Sequence, residues 1–274
     1  MSAKCGLCVH HCTLEEGQTG RCRARANRDG AIRALNYGKL TALALDPIEK
    51  KPLRRFYPGS RILSAGSFGC NLRCPFCQNH EISMAGEGRA QVRTVTPAAL
   101  AALAEELRPQ GNIGVAYTYN EPLVGYEFVR DTAREVRARG MVNVLVTNAT
   151  VEEAPWRALL PLLDAANIDL KGFTEAWYGR LGGSLECVKR SIRIAAAQIH
   201  VEVTTLLVPG ENDAEAEIGA LARWLAEIRR DIPLHLSRYF PRYQMTEPPT
   251  PVERVYRLAE VAREYLEHVY TGNC

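Results

Sequence analysis

Three cysteines, Cys70, Cys74 and Cys77, are spaced C-x3-C-x2-C within one short segment of the chain. Cysteine thiolates hold iron–sulfur cubes of the [4Fe–4S] type, and a cube that only carries electrons normally has a cysteine on every iron. No fourth cysteine follows nearby, so one iron is left open to a substrate or a cofactor. The spacing therefore predicts chemistry at the metal.

The residues around these cysteines favour a cluster loop over the commoner uses of cysteine. Structural zinc sites usually pair C-x2-C with a second, distant pair, and a disulfide needs an oxidising compartment. Gly66 and Gly69 let the backbone bend close to a cube, Pro75 interrupts any helix, and Phe76 shields one face from water. The stretch resembles the signature of the radical S-adenosylmethionine (SAM) superfamily, C-x3-C-x2-aromatic-C, with Phe76 as the aromatic residue.

A second group of cysteines, Cys5, Cys8, Cys12 and Cys22, lies near the N-terminus with the spacing C-x2-C-x3-C-x9-C. Four thiolates are enough to close a tetrahedral zinc site or to ligate a second [4Fe–4S] cluster fully, and the spacing is compatible with both. Either metal would organise a segment too small and polar to fold alone. We expect residues 1–58, rich in Cys, Arg and Gly, to form this Cys-rich module and residues 59–274 to form the radical SAM core domain.

The composition is that of one large α/β domain with a small appendage. The 274 residues are 46% hydrophobic and 24% charged, and the formal net charge of +3 is too small to indicate nucleic-acid binding. No apolar run is long enough to span a membrane, and the first residues have no signal-peptide core. We therefore expect a cytoplasmic protein, because thiols stay reduced there and clustered cysteines bind metals.

Short apolar strands alternate with amphipathic helices through residues 59–274. The predicted strands are 61–67, 112–117, 142–147, 166–170, 201–208 and 233–236, and the predicted helices are 97–108, 123–139, 152–163, 184–197, 213–230 and 251–268. Repeated βα units with buried strands predict a parallel sheet, and about six such units predict a (β/α)6-type partial TIM barrel.

Polar residues follow the predicted strands at the edge where a barrel of this kind carries its active site. Besides the cysteine loop, they are Asn120, Glu121, Asn148, Asp169, Lys171 and His235. Each of them alone has an ordinary structural explanation, such as a turn, a surface ion pair or a buried histidine. Together on one rim they predict a functional site.

These rim residues resemble the accessory motifs of the radical SAM branch that contains pyruvate formate-lyase activating enzyme. Asn120 and Glu121 stand at its Gly-Gly-Glu motif, with Asn120 in place of a glycine, which implies that they hold the SAM amino group. Asn148 resembles the Thr-Asn-Gly motif, with Ala149 in place of the glycine.

The same resemblance extends to the later strands. Asp169 and Lys171 match the Asp-Leu-Lys motif, which in that branch approaches the methionyl and ribose parts of SAM, and His235 resembles a histidine near the cofactor. The resemblance implies that SAM is cleaved at a reduced [4Fe–4S] cluster to a 5′-deoxyadenosyl radical, which abstracts hydrogen from a substrate. It also implies an electron donor such as ferredoxin or flavodoxin.

The resemblance narrows to the AmmeMemoRadiSam-system radical SAM enzymes and covers nearly the whole chain. It rests on segments 46–52, 77–83, 117–122, 169–173, 208–213 and 237–241. The implied substrate is a protein or peptide that enters from the open side of the barrel, or a small molecule. Two alternatives stay open: an activating enzyme for a glycyl-radical enzyme, and a non-catalytic iron–sulfur electron carrier or metal-stapled adaptor.

Overall fold

The N-terminal segment consists of short strands that pair locally. The structure is a computed structural model that describes residues 1–274. Strands β1 (Ala3–Lys4) and β2 (Thr13–Leu14) form one antiparallel hairpin, and β3 (Arg25–Arg28) and β4 (Ala31–Ala34) form another. Strand β5 (Lys39–Leu40) ends this part of the chain.

Strands and helices then alternate as far as the C-terminus. In chain order these elements are β6 (Ala42–Pro47), β7 (Arg61–Gly66), α1 (His80–Ser83), β8 (Arg93–Thr94), α2 (Pro97–Glu106), β9 (Asn112–Tyr117), α3 (Tyr126–Ala138), β10 (Val142–Thr147), α4 (Glu153–Leu159), β11 (Ala165–Asp169), α5 (Glu175–Leu181), α6 (Leu185–Ala196), β12 (His200–Leu207), α7 (Glu215–Ile228), β13 (Leu234–Arg238), α8 (Val252–Arg263) and β14 (Val269–Gly272). The short strand β8 pairs antiparallel with β5, apart from the main sheet.

An 8-stranded sheet with the order β14-β13-β12-β11-β10-β9-β7-β6 forms the centre of the molecule. Every pair of neighbouring strands runs parallel except β6, which is antiparallel to β7. The edge strands β6 and β14 do not pair with each other, so the barrel is open on one side. The predicted α/β partial TIM barrel is confirmed.

Several elements differ from the sequence prediction. The strand β6 belongs to the central sheet although it precedes the predicted boundary at residue 58. The predicted helix 123–139 begins only at Tyr126, because a 3-10 turn over Pro122–Gly125 precedes it. The helix α5 and the edge strand β14 were not predicted, since neither is long enough to show a clear hydrophobic period.

The two faces of the sheet pack against different partners. The outer face and the helices share a core of 50 buried residues, in which Trp156 and Tyr178 are fully buried. The inner face is covered by residues 48–56, here called the floor segment, whose Ile48 and Leu53 pack with Ile62 of β7. Because Ile62 lies early in its strand, the floor segment closes the amino-terminal end of the barrel and leaves the carboxyl end as the working face.

Candidate active site

The three cysteines of the C-x3-C-x2-C motif lie in the loop that follows β7, at the carboxyl edge of the sheet. Cys74 is 7% exposed, and Cys70 and Cys77 are partly buried beside it in one apolar cluster. Phe76 stacks on Trp177 of α5, with 5.9 Å between the ring centroids, and so covers the loop from the α5 side. None of the cysteines in the chain forms a disulfide.

Burial sets the proton affinity of these thiols. It raises the pKa of Cys74 to about 12, although the nearby Lys171 ammonium acts in the opposite direction. Burial and the Glu121 carboxylate raise the pKa of Cys70 as well. Buried thiolates are therefore unfavourable here without a compensating cation, and bound iron both removes thiol protons and supplies positive charge. Three uncrosslinked thiols in an apolar pocket beside a lysine fit a [4Fe–4S] cluster.

Backbone contacts at Gly69 bring the cysteine loop close to the N-terminal segment. Gly69 has φ +90°, and a Cβ atom there would lie 2.6 Å from the carbonyl oxygen of Cys22. The Cys70 amide donates to that same carbonyl at 3.2 Å. The N-terminal segment therefore touches the cysteine loop at its first cysteine, in a place where only glycine fits.

Glu121 is 2% exposed and connects the ends of β9 and β10. Its carboxylate accepts hydrogen bonds from Thr147 Oγ1 at 2.7 Å, from the Asn148 amide at 2.8 Å and from the Leu123 amide at 3.0 Å. Burial raises the pKa of this carboxyl to about 7, against the lowering effect of those three donors. A cation bound beside Glu121 would favour its ionised form.

Asn148 and Asn120 both hold the cysteine loop in place. The Asn148 amide nitrogen Nδ2 donates to Asn71 Oδ1 at 2.9 Å and lies 3.7 Å from Cys70 Sγ. Asn120 Oδ1 accepts from the Ser67 amide at 2.9 Å, and its Nδ2 donates to the Gly69 carbonyl at 3.0 Å. These two rim residues therefore position the loop that carries the cysteines.

Asp169 and Lys171 form an ion pair on the Cys74 side of the site. Lys171 Nζ lies 3.0 Å from Asp169 Oδ2, and both side chains are partly buried. Burial lowers the pKa of Lys171, but Asp169 and the Cys74 thiol outweigh it and raise that pKa above its ordinary value. Lys171 therefore remains an ammonium group next to the cysteines.

His235 lies in a different environment from the other rim residues. It occupies the same row of the sheet as Thr204 and Asp169. However, its Nε2 atom lies 2.6 Å from Glu202 Oε2, deep in the barrel. Glu202 also accepts a hydrogen bond from the backbone amide of Arg54. The Glu202–His235 pair therefore connects the floor segment to strands β12 and β13. The structure thus brings the other predicted residues around the cysteine loop and places His235 below them.

Residues that were not singled out from the sequence line the barrel between the rim and the floor. Tyr119 has φ +74°, a left-handed conformation that is strained for a residue with a Cβ atom. Its hydroxyl donates to Asp46 Oδ2 at 2.6 Å, and Lys51 Nζ lies 2.8 Å from the same oxygen. Lys51 is 2% exposed. In the sequence, Asp46, Lys51 and Tyr119 are recognisable only as parts of segments 46–52 and 117–122, and nothing there indicates that they are neighbours.

The four N-terminal cysteines line one small cavity together with His10. The Cys5 amide donates to the Cys12 carbonyl at 2.9 Å across the first hairpin. Burial raises the pKa of Cys8 to about 11. No three His, Cys, Asp or Glu side chains are arranged to hold a single metal ion in the structure, so metal binding by this group stays a prediction.

A partly open α/β barrel with three free cysteines and a ring of polar groups at its carboxyl edge defines a class of metal-dependent enzymes. Residues 66–222 match the family model described as the Radical SAM superfamily. The uncharacterized protein MJ0808 of Methanocaldococcus jannaschii is 40% identical over 274 residues, which cover 98% of this chain and 81% of that relative. The chain belongs to the radical SAM superfamily and is a radical SAM enzyme, as predicted.

Solved structures show the same fold at low sequence identity. A domain of pyruvate-formate lyase-activating enzyme from Bacteroides vulgatus matches with TM-score 0.52 and 21% identity, over 58% of this chain and 99% of that one. Streptococcus suis SuiB bound to S-adenosylmethionine matches with TM-score 0.62 and 14% identity, over 78% of this chain and 52% of SuiB. SuiB bound to the precursor peptide SuiA matches with TM-score 0.61 and 14% identity, over 76% of this chain and 47% of SuiB. The chain thus spans about half the length of SuiB.

The helices of the structure are short or amphipathic. None combines the length and the apolar character that crossing a membrane requires.

Proposed function

We propose that Cys70, Cys74 and Cys77 hold a [4Fe–4S] cluster with one iron open to SAM, and that the enzyme abstracts hydrogen from its substrate. The observation that carries this proposal is the set of three uncrosslinked thiols against one apolar cluster, flanked by Glu121 and by Lys171. When bound, the cluster and SAM supply a 5′-deoxyadenosyl radical and methionine through one-electron cleavage of the S–C5′ bond.

The chain's own residues bind and orient the cofactor. Glu121 provides a buried carboxylate for the SAM amino group, and Asn148 holds the strand end next to Cys70. Lys171 and Asp169 face the other side of the cysteine loop, where the methionyl and ribose parts of SAM would lie. The apolar cluster around Phe76 excludes water, which protects a reactive intermediate from side reactions.

The test is production of 5′-deoxyadenosine from SAM and dithionite by anaerobically reconstituted protein. Cys74→Ser should abolish the product, whereas Cys187→Ser should retain it, because Cys187 lies in α6 and donates to the Val151 carbonyl. Equal product formation by wild type and Cys74→Ser would contradict the cluster assignment and favour a carrier or adaptor.

We place the enzyme in the AmmeMemoRadiSam group, with a protein or peptide as substrate. The motifs between Asp46 and Pro241 support the group, and the precursor peptide bound to SuiB supports a peptide substrate in a barrel of this fold. The likeness to a pyruvate-formate lyase-activating enzyme domain supports the alternative, activation of a glycyl-radical enzyme. An organic radical detected by EPR on a glycyl-radical partner would favour that alternative, and label transfer from a peptide to 5′-deoxyadenosine would favour the first.

The N-terminal cysteines Cys5, Cys8, Cys12 and Cys22 are proposed to bind zinc or a second [4Fe–4S] cluster. Their shared cavity supports this assignment. Iron and zinc quantification should show a loss of one metal species in Cys8→Ser that Cys187→Ser does not show. Free thiols throughout the chain support a reducing compartment such as the cytoplasm, in which ferredoxin or flavodoxin is a suitable electron donor.

A further inference from the structure

The cysteine loop has one side towards the barrel and one side towards solvent. Glu121 and Asn148 approach it from the strand ends of the barrel, where SAM is proposed to bind. On the solvent side, here called the outer side, Arg73 and Gln78 of the loop are exposed. The rate of electron transfer between proteins falls steeply with distance. A protein that reduces the cluster therefore has to dock on the outer side.

A later segment, residues 239–247, lies against the outer side of the loop. The Gln244 amide donates to the Pro75 carbonyl at 2.9 Å, and the Tyr243 ring stacks on His80 with 4.5 Å between the ring centroids. Tyr243 has φ +57° and is 42% exposed. Aromatic residues are enriched at protein interfaces, and strained backbone clusters at functional sites. Both features of Tyr243 indicate a contact surface.

Exposed arginines lie around the same side of the loop. Arg73 directly precedes Cys74, and its amide donates to the Leu181 carbonyl at the end of α5, at 2.8 Å. A Cβ atom on the next residue, Gly182, would lie 3.2 Å from Arg21 Nη2. The guanidinium of Arg21 is therefore adjacent to the turn that holds Arg73.

A third exposed arginine, Arg242, lies two residues before Gln244, which bonds to the loop. These three residues are here called the arginine patch: Arg21, Arg73 and Arg242. None of them forms an ion pair or a side-chain hydrogen bond, whereas the nearby Arg180 is paired with Glu211. Their positive charges are therefore available to a negatively charged partner.

We propose that the arginine patch and Tyr243 form the docking surface for a small acidic electron-carrier protein, such as a flavodoxin, which reduces the cluster held by Cys70, Cys74 and Cys77. The inference rests on the cluster proposed above. In this step the carrier is oxidised by one electron and the cluster is reduced by one. Opposite charges speed the encounter and orient the partners before contact. Redox complexes bury little surface, so a compact patch suits such a transient complex.

A second basic group, at the opposite end of the barrel, provides the control. Its members Arg54, Arg55 and Arg61 are also exposed and without ion pairs. They lie in the floor segment and at the first residue of β7, whereas the cysteine loop follows the last residue of that strand. A six-residue strand separates its two ends by about 17 Å. A carrier docked on the floor would therefore be too far from the cluster.

The experiment measures reduction of the reconstituted full chain by photoreduced flavodoxin, in an anaerobic stopped-flow instrument. The patch variant carries Arg21→Gln, Arg73→Gln and Arg242→Gln, and the control variant carries Arg54→Gln, Arg55→Gln and Arg61→Gln. At low ionic strength, the second-order rate constant per cluster should fall about tenfold in the patch variant and stay within about twofold of wild type in the control variant. Added salt should reduce the difference between wild type and the patch variant, because salt screens exposed charges.

Two further comparisons separate docking from damage to the site. Dithionite is a small reductant that needs no docking surface, so it should reduce wild type and the patch variant at rates within about threefold of each other. If the patch variant takes up little iron, Arg242→Glu replaces it, because Arg242 lies far in sequence from the cysteine loop. This charge reversal should slow reduction by flavodoxin at least about threefold.

Three results would overturn the proposal. They are equal flavodoxin rates in the patch and control variants, an equal loss of rate with dithionite and with flavodoxin, and a wild-type protein that dithionite reduces but flavodoxin does not. A wild-type protein without a cluster that dithionite reduces would instead contradict the cluster assignment itself. The two failures are therefore distinguishable.

Discussion

Replacing Glu121 by glutamine tests how the rim holds SAM. Its carboxylate accepts three hydrogen bonds and is 2% exposed. A glutamine of the same shape has only one oxygen, so at best the amide of Asn148 loses its acceptor and faces an NH2 group. One buried unsatisfied donor costs about 1–3 kcal/mol of unfolding free energy. For an enzyme of this size we therefore expect a fall in Tm of a few degrees.

The effect on the cofactor is separate from the effect on stability. Loss of the charge opposite the SAM amino group removes a charge-assisted hydrogen bond worth about 1.5–3 kcal/mol. The affinity for SAM should accordingly weaken roughly 10- to 150-fold. Anaerobic equilibrium binding of SAM to the iron-loaded protein measures it, with the exposed Glu81→Gln on α1 as the matched control. A SAM affinity of Glu121→Gln within twofold of wild type, at full iron content, would refute the role of this carboxylate.

Three further changes test the surrounding structure. Hydrogen bonds hold the pKa of Glu202 at about 2 despite its burial, instead of the usual 4.5. Wild type should therefore lose about 3 kcal/mol of stability as the pH falls from 4.5 to about 2. Acid unfolding followed by circular dichroism should show that Glu202→Gln lacks this part of the pH dependence. Gly69→Ala should lower iron loading severalfold, measured by iron analysis, because its Cβ would lie 2.6 Å from the Cys22 carbonyl oxygen. Arg25→Met should destabilise the contact between the N-terminal module and α3 by about 2–3 kcal/mol, because Arg25 pairs with Glu127 and is 7% exposed. Faster proteolysis of the module would reveal this loss, and an unchanged cleavage rate would contradict it.

The sequence predicted the regular elements well where hydrophobic period and length agreed. The strands Asn112–Tyr117 and Val142–Thr147 have the predicted bounds, since each is a largely apolar run between polar turns. Edge elements were harder to predict. The strand β14 is short and partly exposed, and β6 is identified only by its pairing with β7, which follows it after residues 48–60.

For the candidate site residues, the sequence indicated their position in the fold better than it indicated their surroundings. Position after a strand correctly indicated that Glu121 lies near the cysteine loop, because parallel strands end at one edge. The same reasoning did not reveal that His235 is turned towards Glu202, since that contact spans 33 residues. The left-handed conformation of Tyr119 also has no local signature, and its hydroxyl bonds to Asp46, which lies 73 residues earlier in the sequence.

The floor of the barrel has a consequence for how the chain assembles. The amides of Arg54 and Arg55 bond to Glu202 across 148 and 147 residues of sequence. Closing so long a loop costs chain entropy, which is reduced once the intervening strands have formed. We therefore expect the barrel interior to be completed late in folding, after synthesis has passed β12. Stabilising changes in the floor segment should slow unfolding and leave the folding rate nearly constant.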